Sequence, residues 1–573
     1  MKSVYKHVNY LTSKKQKFYL FIIFLFAVFI GLIETISISS LVGFIAIVSE
    51  PQTVAEKIPV DFIKNYILSL DLNTLAINAS IVLITIFLIK NIILILFHYC
   101  EARVMKNLYL KLSREIFNIY LLMPYKFHKD HNPAILVNTV IAETKRVSDF
   151  IVNLIIIFRE TITLIFLLTL LLITSFKLAA LLFLTMGITS LFFHKAIATR
   201  VKRYGVQVKI NAEKTLKNLM ESISSIKILK LINKNEFFLK NVFKEMNQRE
   251  STVINFNIIG KLPRLVFEVL AVSIVAGLLI FVLLDKNSIK ESIPILSLVV
   301  LIILRTLPAF ININTNLNNT RFHFSSLEKI SLIKENFSKN QFSNNQTFAT
   351  KKINITNIDV KDLSYNYDTK EVLSDISYEF KKDKIYGIKG ESGSGKTTLI
   401  DLILGLLKPS KGKILINNLN LDRDIAFSGG YASYVPQEVY LTDASIAENI
   451  AFGLSYNDIN FAKLNEILIK SKLFEFVNDL PDGYNTIVGE KGIKISGGQK
   501  QRIGIARALY VNTEIIVFDE ATSALDYKTE EKITNEIQKL KKDKIIFIVA
   551  HRLKTLEICD EVITLSGGKI IKE

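Results

Sequence analysis

The sequence predicts two dissimilar parts in one chain, a bundle of six membrane-spanning α-helices followed by an α/β domain. Half of the 573 residues are hydrophobic and the mean hydropathy is +0.33. The C-terminal third has the composition of a water-soluble domain, so the apolar excess lies in the N-terminal part. In the C-terminal third, apolar runs instead end in glycine-rich or acidic turns, as strands of an α/β sheet do.

Six apolar runs approach or exceed the roughly 20 residues that cross a bilayer core. The spans are predicted near 18–48, 75–99, 150–175, 178–194, 265–284 and 292–311. The fourth run is short, and the breaks inside the pairs 150–194 and 265–311 are not sharply marked. Five spans is therefore the alternative count.

The first run is too long for a cleaved signal peptide, and no small-residue cleavage site accompanies it. Lys14, Lys15 and Lys17 precede it, which predicts a cytoplasmic N-terminus. Six crossings then return the C-terminal part to the cytoplasm. The segments 100–149 and 195–264 are long, basic and periodic like helices, and we interpret them as helices that continue into the cytoplasm.

The formal net charge is +18. Basic cytoplasmic loops explain most of it, and attraction to anionic lipid is compatible with that explanation. No nucleic-acid recognition motif accompanies the charge, so nucleic acid is not an expected partner. Cys100 and Cys559 both fall on the predicted cytoplasmic side, where a disulfide is not expected.

A glycine-rich loop, GESGSGKTT, follows the apolar run 385–390 and precedes a helical pattern at 397–407. This spacing is that of a phosphate-binding loop, whose glycines let backbone N–H groups approach phosphate oxygens. The lysine places a charge on the β- and γ-phosphates, and the first threonine can ligate Mg²⁺. The residues of the loop are Gly390, Glu391, Ser392, Gly393, Ser394, Gly395, Lys396, Thr397 and Thr398.

Two further motifs follow in order. The turn ISGGQKQR opens a helix and offers Ser496 and backbone N–H groups to a phosphate. Its predicted nucleotide-binding residues are Ser496, Gly497, Gly498 and Gln499. The strand pattern IIVFDE ends in Asp519, which can hold Mg²⁺ through water, and Glu520, which can polarise an attacking water.

This order of motifs closely resembles the ATP-binding cassette (ABC) ATPases over residues 353–573. The resemblance implies ATP and Mg²⁺ as cofactors. It also assigns Tyr367 to stacking on adenine, Gln437 to the metal, and His551 to the γ-phosphate. Residues 523–526 match the loop that crosses the dimer interface, and 488–492 match the segment that senses the membrane domain. Ile495 departs from the usual leucine, with little expected effect.

The long cytoplasmic extensions and the single C-terminal cassette resemble ABC exporters. The resemblance implies a transmembrane domain at 1–334, a linker at 335–352, and short coupling helices near 124–132 and 222–232 that dock on the ATPase. It also implies a homodimer, because the phosphate loop of one cassette faces the SGGQ turn of the other. The expected location is the bacterial inner membrane.

The predicted outer loop contains a short amphipathic pattern at 57–70. Its apolar positions, expected to face lipid or the lipid tail of a substrate, are Phe62, Ile63, Tyr66, Ile67 and Leu70. An ordinary lipid-touching loop is the alternative.

Together with the segments 29–45, 261–270, 305–310 and 323–328, this pattern resembles bacterial flippases of lipid-linked oligosaccharides, of the PglK and Wzk kind. The resemblance implies flipping of a polyprenyl-diphosphate-linked glycan from the inner to the outer leaflet.

Three basic residues in or beside apolar runs, Lys90, Arg264 and Arg305, are candidates to meet the diphosphate. Snorkelling to the interface is the alternative for each. The resemblance is partial, because one basic position of the family is Asn312 here. Other cargoes, such as lipid A, a peptide or a drug, stay open, as does an ATP-gated regulatory protein. His98, His128 and His131 raise the hypothesis of a metal site, but no companion acids or cysteines accompany them, so a metal is not expected there.

Overall fold

The computed structural model describes residues 2–49, 51–57, 61–174, 176–284, 289–339, 354–367, 369–421, 430–550 and 552–571. The chain divides into two compact units. Unit 1 comprises Met1–Met123 and Asp130–Asn340, and unit 2 comprises Pro124–Lys129 and Gln341–Glu573.

Unit 1 is helical in its described residues. Counting in chain order, and including the short α6 that joins unit 2, the helices are α1 Lys2–Leu11, α2 Lys14–Ser49, α3 Pro51–Lys57, α4 Asp61–Ser69, α5 Leu72–Leu122, α6 Tyr125–Asp130, α7 Pro133–Asn138, α8 Thr144–Thr174, α9 Phe176–Ser224, α10 Ile226–Ile232, α11 Asn235–Leu284 and α12 Ile289–Lys339. A single π-helical turn, Thr139–Glu143, joins α7 to α8.

Five of these helical stretches are long and apolar enough to cross a membrane. They are Lys14–Val48, Leu72–Leu122, Pro133–Ile173, Ala179–Ser224 and Val300–Lys339. Each contains a predicted span or most of one, and the helices run well beyond the apolar runs. The sixth predicted span, 265–284, forms the end of α11, where some side chains lie outside the described set.

The apolar face of α5 shows what surrounds these helices. Ile84, Ile92 and Ile95 are 59%, 59% and 67% exposed. A water-soluble protein rarely leaves so long an apolar face uncovered, whereas lipid tails cover it without cost. These exposed isoleucines in the apolar part of α5 are therefore assigned to face lipid.

The helices of unit 1 also pack closely on one another. Phe267 of α11 and Phe310 of α12 lie in one buried cluster with Met186 of α9. Further along, α9 and α12 approach so closely that a Cβ atom at Gly205 would lie 2.2 Å from the carbonyl oxygen of Phe322. Only glycine permits this contact between the two backbones.

Both predicted coupling segments contain a short helix. The first is α6, and Pro124–Lys129 belongs to unit 2 rather than to the unit that precedes and follows it in sequence. The second is α10, which ends at Asn233 in the left-handed conformation. The linker prediction needs one correction at its start, because α12 continues to Lys339 and takes in 335–339.

The amphipathic pattern at 57–70 forms α4, with 58–60 outside the described residues. Ile67 is only 5% exposed and packs with Ala55 and Leu75, while Leu68 is 52% exposed. The expectation that Ile67 faces lipid is therefore wrong, because this side chain fills a small core formed by α3, α4 and the start of α5.

Unit 2 contains two sheets. The first is antiparallel in the order β2-β1-β4-β5, and the second has the order β10-β9-β3-β8-β7-β6. The strands are β1 Asn357–Tyr367, β2 Lys370–Lys381, β3 Lys384–Gly390, β4 Lys411–Ile416, β5 Leu419–Asn420, β6 Ala432–Val435, β7 Ile515–Asp519, β8 Ile545–Val549, β9 Glu561–Ser566 and β10 Lys569–Ile571. The helices are α13 Lys396–Ile403, α14 Ile446–Ile450, α15 Phe461–Lys470, α16 Phe474–Asn478, α17 Gly497–Val511, α18 Tyr527–Lys539 and α19 Leu553–Leu556.

Aromatic packing joins the two sheets. Phe380 of β2 meets Tyr386 of β3 and Phe547 of β8 edge-on, with ring centroids 4.9 Å apart in each case. All three side chains are fully buried. Edge-to-face contacts of this kind stabilise a core beyond the area they bury, so β3 and β8 are held firmly beneath the loops that follow them.

We predict that Ile67→Ala lowers the free energy of unfolding of unit 1 by about 2–4 kcal/mol, because the vacated space is enclosed. Leu68→Ala, one residue away and half-exposed, should change it by less than about 0.5 kcal/mol. Thermal unfolding in nanodiscs compares the two variants. Equal losses would contradict the internal packing of Ile67.

Candidate functional site

The parallel strands β3, β8, β7 and β6 bring the candidate residues together. Ile388 pairs with Val549, and Val549 pairs with Asp519 across β7. The carboxyl ends of these strands therefore lie along one edge of the sheet. In open parallel sheets this edge is where ligands bind. The glycine-rich loop leaves β3 here, the acidic pair leaves β7, and Gln437 follows β6.

The glycine-rich loop turns from β3 into α13 with little room for side chains. Gly395 caps α13 with φ 101°, and a Cβ atom there would lie 2.6 Å from Leu373 Cδ2. A Cβ atom at Gly390 would lie 2.3 Å from the carbonyl oxygen of Leu565. Both glycines are thus required by the local geometry, as the sequence predicts.

The remaining groups of the loop suit a phosphate. Lys396 Nζ donates to the carbonyl oxygens of Gly390 and Glu391, each at 2.8 Å, so the ammonium lies curled inside the loop. Ser394 Oγ is buried and has no hydrogen-bond partner among the described residues. A cradle of backbone N–H groups at a helix N-terminus, a lysine and an unpartnered hydroxyl fit a polyphosphate. Thr397 is exposed beside them.

Asp519 lies at the end of β7 and accepts a hydrogen bond of 2.8 Å from the hydroxyl of Tyr434 on β6. Burial, together with the charges of Glu520 and Asp401, raises the pKa of Asp519, whereas the Tyr434 hydrogen bond and Lys396 oppose the rise. A divalent cation would relieve this crowding of negative charge. The role of Tyr434 was not evident from sequence, because its partner is 85 positions away.

Glu520 adopts a left-handed backbone conformation, φ 47°, and its N–H donates to the carbonyl oxygen of Val549 at 2.9 Å. Gln437 Nε2 donates to Glu520 Oε2 at 2.6 Å. The carboxylate predicted to polarise water is thus oriented by the glutamine predicted to bind the metal. Oxygens from Thr397, Asp519 and Gln437 are ligands of the kind that Mg²⁺ prefers, so these residues fit that ion.

The SGGQ turn begins α17. Ser496 Oγ accepts from Gln499 N–H at 3.3 Å, and the Gln499 side chain accepts from Ser496 N–H at 2.8 Å. The two side chains therefore form a capping box, which fixes the start of α17. Both residues belong to the predicted nucleotide-binding set, and Ser496 was predicted to meet a phosphate. Within one chain their side chains instead cap the helix.

Gln501 ties this helix to the loop 523–526. Its side-chain amide donates to Ser523 Oγ at 3.0 Å and accepts from Ala524 N–H at 2.9 Å. A Cβ atom at Gly498 would lie 3.2 Å from the carbonyl oxygen of Ala524, so the loop also packs on the SGGQ turn. The two segments predicted to meet a second cassette are therefore one connected surface.

Tyr367, the predicted adenine-stacking residue, ends β1. Its hydroxyl lies 3.4 Å from Lys129 Nζ of α6. Lys129 also forms an ion pair of 3.1 Å with Asp401, a buried residue of α13. Burial raises the pKa of Asp401, and the Lys129 ammonium opposes that rise. Lys129 thus links α6 to both Tyr367 and the helix that carries Lys396.

His551, the other predicted catalytic residue, lies outside the described residues. Its neighbour Arg552 makes two contacts. Arg552 Nη1 pairs with Glu530 Oε2 at 2.6 Å, and Nη2 donates to the carbonyl oxygen of Ser523 at 3.1 Å. The segment after β8 is therefore attached to the loop 523–526.

Two of the three basic candidates of the membrane domain lie together. Lys90 of α5 and Arg305 of α12 line one pocket, of about 200 Å³, together with Glu34 of α2. We call it the intramembrane pocket. Arg264 does not line it. On α11, the Arg264 side chain is 64% exposed and pairs with Glu268 one turn later at 2.8 Å.

The three histidines considered as metal ligands are His98, His128 and His131. In the described part of the chain, no three His, Cys, Asp or Glu side chains gather as metal ligands would. His98 instead pairs with Glu101 at 3.2 Å.

Comparison with known families agrees with the two-part architecture. The profile described as ABC transporter transmembrane region matches residues 19–306, half of the chain. The profile described as ABC transporter matches residues 373–523. The chain therefore belongs to the ABC transporters. It is an ATP-hydrolysing, multi-pass protein of the bacterial inner membrane, with its nucleotide-binding domain in the cytoplasm.

Relatives and a solved structure add detail. The chain is 37% identical over 252 residues to an export ATP-binding/permease protein of Rickettsia typhi, spanning 43% of this chain and 41% of that protein. It is 28% identical over 505 residues to an ATP-dependent lipid A-core flippase of Pseudoalteromonas translucida, spanning 86% and 85%.

The fold is similar to that of a bacterial Atm1-family ABC exporter solved with ATP bound. The TM-score is 0.76 at 18% identity, over 98% of this chain and 94% of the other. This similarity shows the exporter fold.

We expect Glu520→Gln to reduce ATP hydrolysis by roughly 10²–10⁴-fold, the usual contribution of a general base. ATP binding should persist, because Lys396 and the loop backbone are unchanged. Glu531→Gln, an exposed carboxylate of α18, is the matched control. Hydrolysis and retained nucleotide are measured in nanodiscs, and near-normal turnover in Glu520→Gln would remove this residue from catalysis.

Lys129→Met should weaken unit 2 most at neutral pH. Because burial raises the pKa of Asp401 above its unfolded value, the folded state binds that proton more tightly. The associated stability is present at low pH and is lost as pH rises through the folded pKa. Without Lys129 the folded-state pKa of Asp401 rises further. The stability lost in Lys129→Met is therefore largest at neutral pH and becomes smaller on acidification.

Melting temperatures measured from about pH 5 to 7.5 test this, since the linkage slope reports bound protons. Asp401→Asn in the Lys129→Met background should abolish the pH dependence of the deficit. Lys470→Met, which breaks an exposed pair with Glu466, is the control. A deficit independent of pH in Lys129→Met would contradict the assignment.

Proposed function

We propose that the protein is a homodimeric ABC exporter that flips a lipid with an anionic, sugar-bearing headgroup from the inner to the outer leaflet. The preferred substrate is a polyprenyl-diphosphate-linked oligosaccharide. The observation that carries the proposal is the intramembrane pocket, where two basic side chains, Lys90 and Arg305, share one acidic lining residue, Glu34.

The charge of this pocket is unusual for a span. Lys90 Nζ lies 4.7 Å from the ring centre of Phe87, and within the described residues no ion pair joins it to a carboxylate. Basic side chains inside a membrane are costly and are retained where they have a ligand. The pocket is smaller than the roughly 300–1,000 Å³ of sites that enclose whole ligands. It therefore suits part of a headgroup, such as a diphosphate, with the lipid chain outside.

The physics of the substrate explains why ATP is needed. Each sugar hydroxyl that enters hydrocarbon without a partner costs several kcal/mol, and a charged diphosphate costs far more. Spontaneous flipping is correspondingly slow. A transporter lowers this cost with polar groups and counter-charges along the path.

One chain carries one phosphate-binding loop and one SGGQ turn. We propose that two copies pair so that each loop faces the turn of the other copy, with ATP between them. Mg²⁺ held by Thr397, Asp519 and Gln437 would supply neutralisation of phosphate charge. Glu520, oriented by Gln437, would accept the proton of the attacking water, and His551 would contact the γ-phosphate. Lys129, which contacts Tyr367 and Asp401, would transmit changes at the nucleotide site to α6.

Lipid A-core is the second candidate substrate. The observation in its favour is the name of the relatives that align over most of this chain. Lipid A also carries phosphates and sugars, so the intramembrane pocket fits either headgroup. An ATP-gated regulatory protein is less well supported, because the hydrolytic residues Glu520 and Gln437 are both present and in contact.

The substrates are separated by transport in proteoliposomes. Purified protein is given fluorescent polyprenyl-diphosphate oligosaccharide, lipid A-core or a neutral glycolipid, and ATP-dependent loss of accessible label is followed. We predict transport of the first and little transport of the neutral lipid. Faster transport of lipid A-core would select the second candidate, and no ATP-dependent movement of any lipid would contradict flipping.

Arg305→Gln and Lys90→Gln should reduce this transport about tenfold or more, the loss expected for one charged hydrogen bond. Basal ATP hydrolysis should change far less. Lys470→Gln, far from the membrane domain in sequence, is the control. If transport and hydrolysis fall in parallel, the two residues are structural.

A further inference from the structure

Arg305 is held by two carboxylates of the same chain. Glu34 of α2 is in close contact with its guanidinium, and Glu160 Oε2 of α8 lies 3.9 Å away. The side chains are largely withdrawn from solvent, with 25% of Arg305, 12% of Glu34 and 3% of Glu160 exposed. The basic residue expected to meet a phosphate is therefore already occupied by an internal anion.

The two carboxylates differ in how firmly they are fixed. Glu160 accepts from Arg159 at 2.8 Å and from Asn312 at 3.2 Å, and it does not line the intramembrane pocket. Glu34 lines the pocket, and within the described part of the chain it accepts one hydrogen bond besides that of Arg305, 3.1 Å from the Thr163 hydroxyl. Glu34 is thus the carboxylate that an incoming ligand can reach and displace.

A carboxylate presents an arginine with two oxygens, as a phosphate does. An unpaired guanidinium in a span is costly, so the empty transporter needs a counter-ion for Arg305. A diphosphate carries more negative charge than one carboxylate and can also reach Lys90. A neutral headgroup has no charge with which to replace Glu34 at Arg305.

We propose that Glu34 is an internal competitor for the anionic headgroup: it occupies Arg305 in the empty intramembrane pocket and yields it to a phosphate-bearing lipid. Glu34 thereby sets the negative charge that a headgroup must carry to be accepted. This inference rests on the proposed function and names a specificity-determining residue for it.

The expected size of the effect follows from competition. A ligand that binds only when Glu34 has released Arg305 has its affinity reduced by the fraction of time the arginine is free. If Glu34 holds Arg305 for more than nine-tenths of the time, Glu34→Gln tightens binding about tenfold or more. This factor does not depend on the ligand, so a monophosphate and a diphosphate that both require the free arginine should gain by the same ratio.

The absence of tryptophan from the chain provides a direct readout. Phe87 lines the pocket beneath Lys90, so Phe87→Trp introduces a single fluorophore there. The full-length Phe87→Trp protein in nanodiscs is titrated with farnesyl diphosphate, farnesyl monophosphate and farnesol, and separately with lipid A. No transport is required for the signal.

In the Phe87→Trp background, Glu34→Gln should lower the apparent dissociation constant for farnesyl diphosphate about tenfold, and leave farnesol unchanged. Arg305→Gln should remove the response to phosphate. Glu34→Gln/Arg305→Gln, which leaves neither charge unpaired, should fold and bind no phosphate. Glu34→Asp, with a shorter carboxylate, should be intermediate. Glu466→Gln, which breaks an exposed pair, is the control.

The outcomes are distinguishable. Unchanged or weaker phosphate binding in Glu34→Gln, with the parent protein still responding, overturns the competitor role and leaves the proposed function intact. If Glu34→Gln cannot be purified, unchanged binding in Glu34→Asp overturns it. No response to any phosphate-bearing lipid in any variant overturns the anionic-lipid function itself. A response to lipid A alone keeps the competitor and changes the substrate.

Discussion

The parallel pairing of β3, β8 and β7 is the constraint on which the nucleotide site depends. Because Ile388, Val549 and Asp519 stand side by side in the sheet, the loops after these strands must begin at a common edge. Residues more than a hundred positions apart, such as Lys396 and Asp519, are thereby brought to one edge by the pairing of the strands that precede them. The aromatic core beneath, built on Phe380 and Phe547, keeps that edge rigid, and α6 and α17 attach to it from outside.

A second constraint, the neutralisation of buried charge, recurs in both units. Asp401 is buried and has Lys129, and Arg305 is withdrawn from solvent and has Glu34. In each pair, one charged residue is withdrawn from solvent on its own helix, and its partner comes from a segment far away in the sequence. Removing either member would leave a charge in a medium that solvates it poorly. Each pair therefore ties two segments together only while both residues are charged.

The sequence predicted motifs formed by neighbouring residues and missed contacts between residues that are far apart in the chain. The glycine-rich loop, the SGGQ turn and the acidic pair each lie within a few residues, and turn and strand chemistry alone locates them. The apolar spans follow from composition. By contrast, Lys129 meets Asp401 across 272 positions, and Arg305 meets Glu34 across 271. Nothing in either segment marks its partner, so Arg305 looked like a free cation. Ile67 was misjudged for a related reason, since an apolar stripe does not say whether lipid or protein covers it.

The contact at Gly205 has a mechanical consequence. Because the α9 backbone lies against the carbonyl of Phe322, α9 and α12 have no side-chain layer here through which to slide. Phe256 of α11 stacks on the Phe322 ring, with centroids 4.4 Å apart, and attaches α11 at the same level. Packed interfaces of this kind shift as bodies rather than deform continuously. In a cycle of opening and closing, α9, α11 and α12 therefore act at this level as one stiff lever. Their bending must occur elsewhere along their length.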